Sequence, residues 1–254
     1  MEDVAAWENA VILPAGSTSM GKQRTEKPRV IIIKTGGTMA SLKSRRGDFE
    51  DWILGGMGLG DGHAEVVDVA AGQPLPPAVR ASGIVITGSH DMVTDRLEWS
   101  ERTAFWLAEA ASSGTPLLGI CYGHQLLAHA FGGTVEYNPR GQEMGTTEVT
   151  LLQAASHDPL FGGLPATIRV HVSHSQSVIR LPTGAVRLAE NAWDANQAFR
   201  IGACAWGVQF HPEFDAEVMH AYADEDKRMP EVAIIDTPFG RRILRRFASL
   251  TKGR

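Results

Sequence analysis

One stretch, LLGICYGHQLLAHAFGG at residues 117–133, constrains this chain more than any other. Leu117, Leu118 and Ile120 form a short apolar run of the kind that ends a buried parallel strand. Gly119-Ile120-Cys121-Tyr122-Gly123 then sets a cysteine between two glycines. Beyond it, Leu126, Leu127, Ala130 and Phe131 recur at helical spacing, and Gly132-Gly133 ends the helix. Strand, tight turn and helix in this order make a nucleophile elbow, with cysteine where many hydrolases carry serine. The glycines relieve crowding at the turn, the turn lifts the thiol above the sheet edge, and the helix N-terminus favours the thiolate. A small buried apolar cysteine would leave the same local pattern. A thiol nucleophile needs a base, so the rest of the chain decides between the two.

A candidate base stands far along the chain. Trp206-Gly207-Val208-Gln209-Phe210-His211-Pro212-Glu213 is a strand-like run that ends in His-x-Glu. The chain therefore carries G-x-C-x-G-x-Q at 119–125 and G-x-Q-F-H-P-E at 207–213, in that order and each at a strand end. On these two motifs it resembles the class I (triad) glutamine amidotransferases, and within them the free-standing set related to the amidotransferase domain of GMP synthase. The resemblance implies that Cys121 attacks a γ-carbonyl, that His211 carries the proton and that Glu213 orients the imidazole. It implies an oxyanion hole from the backbone N–H groups of Tyr122 and of the Gly88–Ser89 turn. It implies substrate contacts from Gln125 and from the loop Ser173-His174-Ser175-Gln176. Two departures from the family pattern are visible. Ser89 and His90 follow Gly88 where G-G-P is usual, and Ser175-Gln176 stands where S-H-G-D or a similar loop is usual.

Composition bounds the remaining readings. The 254 residues are 43% hydrophobic and 21% charged, which suits one large α/β domain with a sizeable core. A net charge of −5 gives no basic surplus for nucleic acid or an anionic membrane. Two cysteines, Cys121 and Cys204, make neither a disulfide framework nor a C-x-x-C metal site, and Cys204 reads as a buried inert thiol on an apolar strand. A reducing cytoplasm suits a thiol nucleophile. No apolar run approaches a membrane span, and Glu2, Asp3 and Glu8 stand where a signal peptide would be basic.

Four other features compete for attention. Gly16 to Gln23 is a near-miss to the phosphate-binding P-loop, with Gln23 where Ser or Thr should hold magnesium, and Pro28 follows instead of a helix. Residues 1–27 read as a polar tail, within which Met20 could be the natural start. Thr35-Gly36-Gly37-Thr38, after the strand Val30 to Lys34, is similar to the L-asparaginase motif that carries a threonine nucleophile; a glycine turn with no chemistry explains it better. His171 and His174 stand three apart on a strand, so they point to different sides, and no Cys or acid completes a metal set. Arg241, Arg242, Arg245 and Arg246 read as the solvated face of a helix.

The expected fold is a three-layer α/β sandwich, a largely parallel sheet with helices on both faces, occupying residues 28–254 as a single flavodoxin-like domain. Strands are expected at 65–69, 84–86, 168–174, 187–192, 198–201 and 204–210, with a turn at 138–141 between strands and a helix at 99–111. The segments 48–62 and 214–238 are long enough to line or cover the pocket. The expected function is cleavage of the γ-amide of glutamine, or of another γ-glutamyl compound, through a thioester on Cys121, with no cofactor and no metal. A free-standing γ-glutamyl peptidase is the alternative, and a non-catalytic binding or regulatory protein is the alternative from another class. The implied partners are the small-molecule substrate and a synthase that receives ammonia.

Overall fold

The computed structural model describes residues 29–60, 62–77, 81–226 and 233–252. The N-terminal tail, its P-loop-like stretch and Met20 lie outside the described residues. In chain order the elements begin β1 (Arg29–Lys34), α1 (Ala40–Arg46), α2 (Phe49–Met57), β2 (Ala64–Asp68), β3 (Ala81–Ile86), α3 (Glu98–Ser112), β4 (Leu117–Ile120) and α4 (Tyr122–Ala130). They continue with β5 (Thr134–Tyr137), β6 (Glu143–Leu151), β7 (Thr167–His174), β8 (Gln176–Arg180), β9 (Val186–Glu190), β10 (Ala198–Ile201), β11 (Ala205–Val208), α5 (Ala216–Glu225) and α6 (Pro238–Leu250).

Nine strands form one sheet in the order β2-β1-β3-β4-β11-β10-β9-β6-β7. Neighbours from β2 through to β11 run parallel. From β11 onward to β7 they run antiparallel. The parallel strands are the continuous apolar runs of the sequence, because helical crossovers bury them on both sides. Alternate residues of β1 show the two faces. Val30 and Ile32 join a core with Ile53 of α2 and Leu244 and Phe247 of α6, whereas Ile31 and Ile33 join one with Leu107 of α3 and Leu126 of α4. The result is the three-layer sandwich expected from the strand-helix alternation.

Some local expectations are corrected. The turn at 138–141 lies between β5 and β6 as expected, but the two strands do not pair, because β5 leaves the main sheet and pairs with β8 in a separate two-stranded sheet. The reason lies in packing: Val135 and Val178 are buried against the core that contains α4. Cys204 is half-buried in the turn before β11 rather than buried on the strand, with its thiol 3.2 Å from the Gly114 carbonyl. On α6, Pro238 occupies the first turn, where a missing N–H costs nothing. Ile243, Leu244 and Phe247 face inward while Arg241, Arg242 and Arg245 are exposed, and Arg246 is half-buried and donates to the Leu160 carbonyl.

Candidate active site

β3, β4 and β11 are adjacent and parallel, so their C-terminal ends lie side by side. Cys121 follows β4 at φ 50°, a strained left-handed backbone for a non-glycine residue. The two elbow glycines are obligatory here. A Cβ on Gly119 would lie 2.3 Å from the Gly123 carbonyl oxygen, and one on Gly123 would lie 2.5 Å from that of Ile86. Backbone bonds from Cys121 to the Val208 carbonyl (2.9 Å) and from Gly123 to the Thr87 carbonyl (3.1 Å) tie the elbow to both neighbouring strands. Tyr122 opens α4, so its N–H belongs to the first turn, which has no carbonyl partner within the helix.

His211 is held from both ends. Its backbone N–H donates to the His171 carbonyl at 2.8 Å, and its Nδ1 lies 2.8 Å from Glu213 Oε1. The Glu213 carboxylate is wholly buried. The Cys121 thiol donates to the Ser173 carbonyl at 3.7 Å, and the His211 ring is close enough to Cys121 to feel its charge. Burial works against a charged ring, but the Glu213 carboxylate and the negative charge of Cys121 outweigh it, and the His211 pKa is raised to about 10. An imidazolium held this way stabilises a neighbouring thiolate. Two further histidines remain neutral beside it. His171 is pushed down to about 4 by burial and then by the charge on His211, and His90 is lowered by the same two causes.

Gly88 lies against this pair: a Cβ there would stand 3.2 Å from His211 Cε1 and 3.9 Å from Cys121 Cβ. Its carbonyl accepts from the hydroxyls of Thr35 and Thr87, both at 3.0 Å, so the peptide that carries the Ser89 N–H is fixed. Thr35 belongs to the TGGT turn, and Gly36 lets that turn approach closely, since a Cβ there would meet Ser89 Oγ at 2.6 Å. The turn is therefore a buttress. Thr38, the residue suggestive of asparaginases, has its hydroxyl 3.1 Å from that of Tyr222 and its N–H bonded to Asp48.

Cys121 opens into a cleft of about 680 Å³ whose walls include Tyr122, Gln125, Ser173, Ser175 and Gln176. All the residues expected to contact substrate thus meet in one cavity with the thiol. Gln125 Nε2 donates to the Gln176 carbonyl (2.8 Å) and to Gln209 Oε1 (3.0 Å), which locks the elbow helix to the opposite wall. His174 also braces that wall: Nδ1 is 2.9 Å from the Gln176 carbonyl and Nε2 is 2.9 Å from Glu143. His171 and His174 diverge as the strand period requires, with His171 facing Thr146. Among the described residues no group of three His, Cys, Asp or Glu has metal-holding geometry, and no helix is long and apolar enough to cross a membrane.

Several contributors are not apparent from sequence. Phe214 stacks on His211 at 4.0 Å and 17°, with Tyr222 beyond it at 5.0 Å. Its only signal is a place directly after the His-x-Glu. The described residues of the segment 48–62 do not line the cleft; α2 packs against α6, and among them Phe49 reaches His211, at 6.4 Å between ring centres. α5 does reach the cleft, through Tyr222, Glu225 and, just past its end, Asp226. Gly207 of the second motif makes room, since a Cβ there would lie 2.7 Å from His124 Nδ1.

Comparison with known proteins agrees with this geometry. The family of class I glutamine amidotransferases matches residues 65–226. The chain belongs to that family. It is 35% identical over 192 residues to the glutamine-hydrolyzing GMP synthase of Aeropyrum pernix, a match that covers 74% of this chain and 33% of that protein. It thus spans about a third of that relative's length. It is 36% identical over 137 residues to a glutamine-hydrolyzing GMP synthase subunit of Methanopyrus kandleri, covering 53% of this chain and 67% of that protein. A glutamine amidotransferase from Thermotoga maritima superposes with a TM-score of 0.70 over 90% of this chain and all of that one, at 21% identity, a likeness of fold. The superposition shows that this chain shares the fold of that amidotransferase.

Proposed function

We propose that the chain hydrolyses the γ-amide of glutamine or of a related γ-glutamyl compound, with Cys121 as nucleophile, His211 as proton carrier and Glu213 as the group that orients it. The observation that carries this reading is the buried Glu213–His211 contact at 2.8 Å, with the same imidazole and a cysteine on a strained elbow both set against Gly88. The Cys121 thiolate attacks the γ-carbonyl carbon, and the oxyanion is met by the N–H groups of Tyr122 and of the Gly88–Ser89 turn. The C–N bond breaks as His211 gives its proton to the nitrogen, releasing ammonia or an amine and leaving a γ-glutamyl thioester. Water then attacks the thioester, His211 takes its proton, and glutamate leaves as the thiolate is restored. Gln125, Ser173, Ser175 and Gln176 form the wall that orients the glutamyl end.

Family membership and the two GMP synthase relatives support glutamine as donor. The M. kandleri relative carries the name of one component of a synthase, which supports a separate synthase as the acceptor of ammonia. The deciding assay measures glutamate and ammonia release from glutamine and from γ-glutamyl peptides, alongside labelling by an electrophilic glutamine analogue. Release together with labelling at Cys121 is the expected result. No release and no labelling would leave the chain as a non-catalytic binding protein, whereas release only in cell extract would assign it to a partner-dependent ammonia donor.

A further inference from the structure

The cleft is larger than a glutamine side chain requires, since about 680 Å³ lies well within the roughly 300–1,000 Å³ typical of drug-sized ligands. Its wall has a definite chemical character. Met39, Met92 and Met144 supply flexible apolar surface of the kind that accepts alkyl chains. Asp91 and Glu225, both exposed, and Asp226 add carboxylates, while no Lys or Arg lines the cleft among the described residues.

The wall placed at the glutamyl end also holds an unpaired acceptor. Gln176 is 1% exposed and forms part of the cleft wall, with Nε2 held by Thr94 Oγ1 at 2.6 Å. Its Oε1 has no hydrogen-bond partner among the described residues. A buried acceptor left unmade is costly, and because this oxygen is shielded from solvent only a shift of the Gln176 side chain would bring it to a ligand N–H.

We infer, building on the thiol-hydrolase reading above, that the preferred substrate is a γ-glutamyl amide of an alkyl diamine. The leaving amine then carries an apolar stem for the methionines and a second, distal ammonium for the carboxylates. A lone ammonia leaving group uses neither surface, and an amine with a carboxylate tail meets like charge. The chemistry is that of the proposed cycle. Cys121 forms the thioester, the γ C–N bond breaks, the diamine departs with a proton from His211, and water releases glutamate.

The test compares the γ-glutamyl amides of 1,4-diaminobutane, n-butylamine and 4-aminobutyrate, with glutamine as a fourth substrate, on the full chain. The expected kcat/KM for the diamine exceeds that of the butylamine amide by about tenfold, with the aminobutyrate amide poorest, the upper end of what two exposed charge contacts allow. That lead shrinks at salt above about 0.5 M. The double variant Asp91→Asn/Glu225→Gln loses most of the diamine-to-butylamine ratio. Calorimetric Kd values on a Cys121→Ala variant read the same preference without turnover. Equal constants for the three amides, or a lead untouched by salt and by the double variant, overturn the inference and leave glutaminase chemistry standing. Preferential binding without turnover in the unsubstituted chain has the opposite meaning: the ligand assignment holds and the thiol-hydrolase reading fails.

Discussion

The two halves of the sheet do different work. In the parallel half, the ends of β3, β4 and β11 carry Gly88, Cys121 and His211; backbone bonds hold Cys121 and His211, and two threonine hydroxyls hold the Gly88 carbonyl. In the antiparallel half, β6 and β7 lead to a wall at Ser173–Gln176 fixed by side chains: Gln125, His174, Glu143 and Thr94. Backbone geometry tolerates no substitution at Gly119 or Gly123, whereas a wall braced by side chains is tuned one residue at a time. The difference separates chemistry from selectivity. On the proposed reading, reaction geometry rests on close backbone packing and substrate preference on side chains that can change one at a time.

The sharpest way to break that division is Cys121→Ser. Turnover is expected to fall by about a thousandfold or more, since a serine hydroxyl ionises far less readily than a thiol. Thermal unfolding should be nearly unchanged. A residual rate above roughly a few per cent would move the nucleophile elsewhere and dissolve the contrast.

His211→Asn tests the same half through charge. Alkylation of Cys121 by iodoacetamide near neutral pH is expected to slow by roughly tenfold or more, because the cation that stabilises the thiolate is gone. Stability supplies a second readout. The folded-state pKa of His211 is raised above its ordinary value of 6.5, to about 10. Its contribution is therefore fully present below about 6.5 and lost as pH rises through about 10. The Asn variant should show a flatter melting profile across that window. An unchanged alkylation profile would mean that another group activates the thiol.

Gln125→Ala addresses the wall. It removes the donor shared by the Gln176 carbonyl and Gln209 Oε1, leaving the buried Gln209 oxygen short of a partner and the Gln176 carbonyl with His174 alone. KM should rise about tenfold, with a smaller loss in kcat, because binding surface rather than reaction geometry is disturbed. An equal loss in kcat and kcat/KM would place Gln125 with the chemistry instead. Thr38→Ala should have the smallest effect, within about threefold in kcat/KM, since its hydroxyl meets Tyr222 and not the thiol. A loss comparable to that of Cys121→Ser would restore the asparaginase-like reading.

The same contrast explains what could be read from the residues alone. The elbow is local: an apolar run, a cysteine between glycines and a helix within 17 residues report one continuous backbone path. His211 and Glu213 are two apart, so their contact too is local. Parallel strands announce themselves as apolar runs, and the order of their crossovers follows. The wall has no such signature. Gln125 meets Gln176 across 51 residues and Gln209 across 84, and nothing in the local pattern marks those pairs. Phe214 and Tyr222 form a stack over His211 only once α5 folds back, and the turn at 138–141 looks like a hairpin until β8 takes β5 as partner. The expectation that the segment 48–62 lines the pocket fails for a related reason. The apolar face of α2 finds a better partner in α6 than in the cleft.

The most direct measurement for the whole account is mass spectrometry of the intact chain, acid-quenched during turnover of a γ-glutamyl substrate and then mapped by peptide. The account predicts one glutamyl adduct, carried as a thioester on Cys121, absent in Cys121→Ser and accumulating when the attacking water is replaced by a poor nucleophile. Glutamate release with no adduct on Cys121, or an adduct on Thr38, would contradict it.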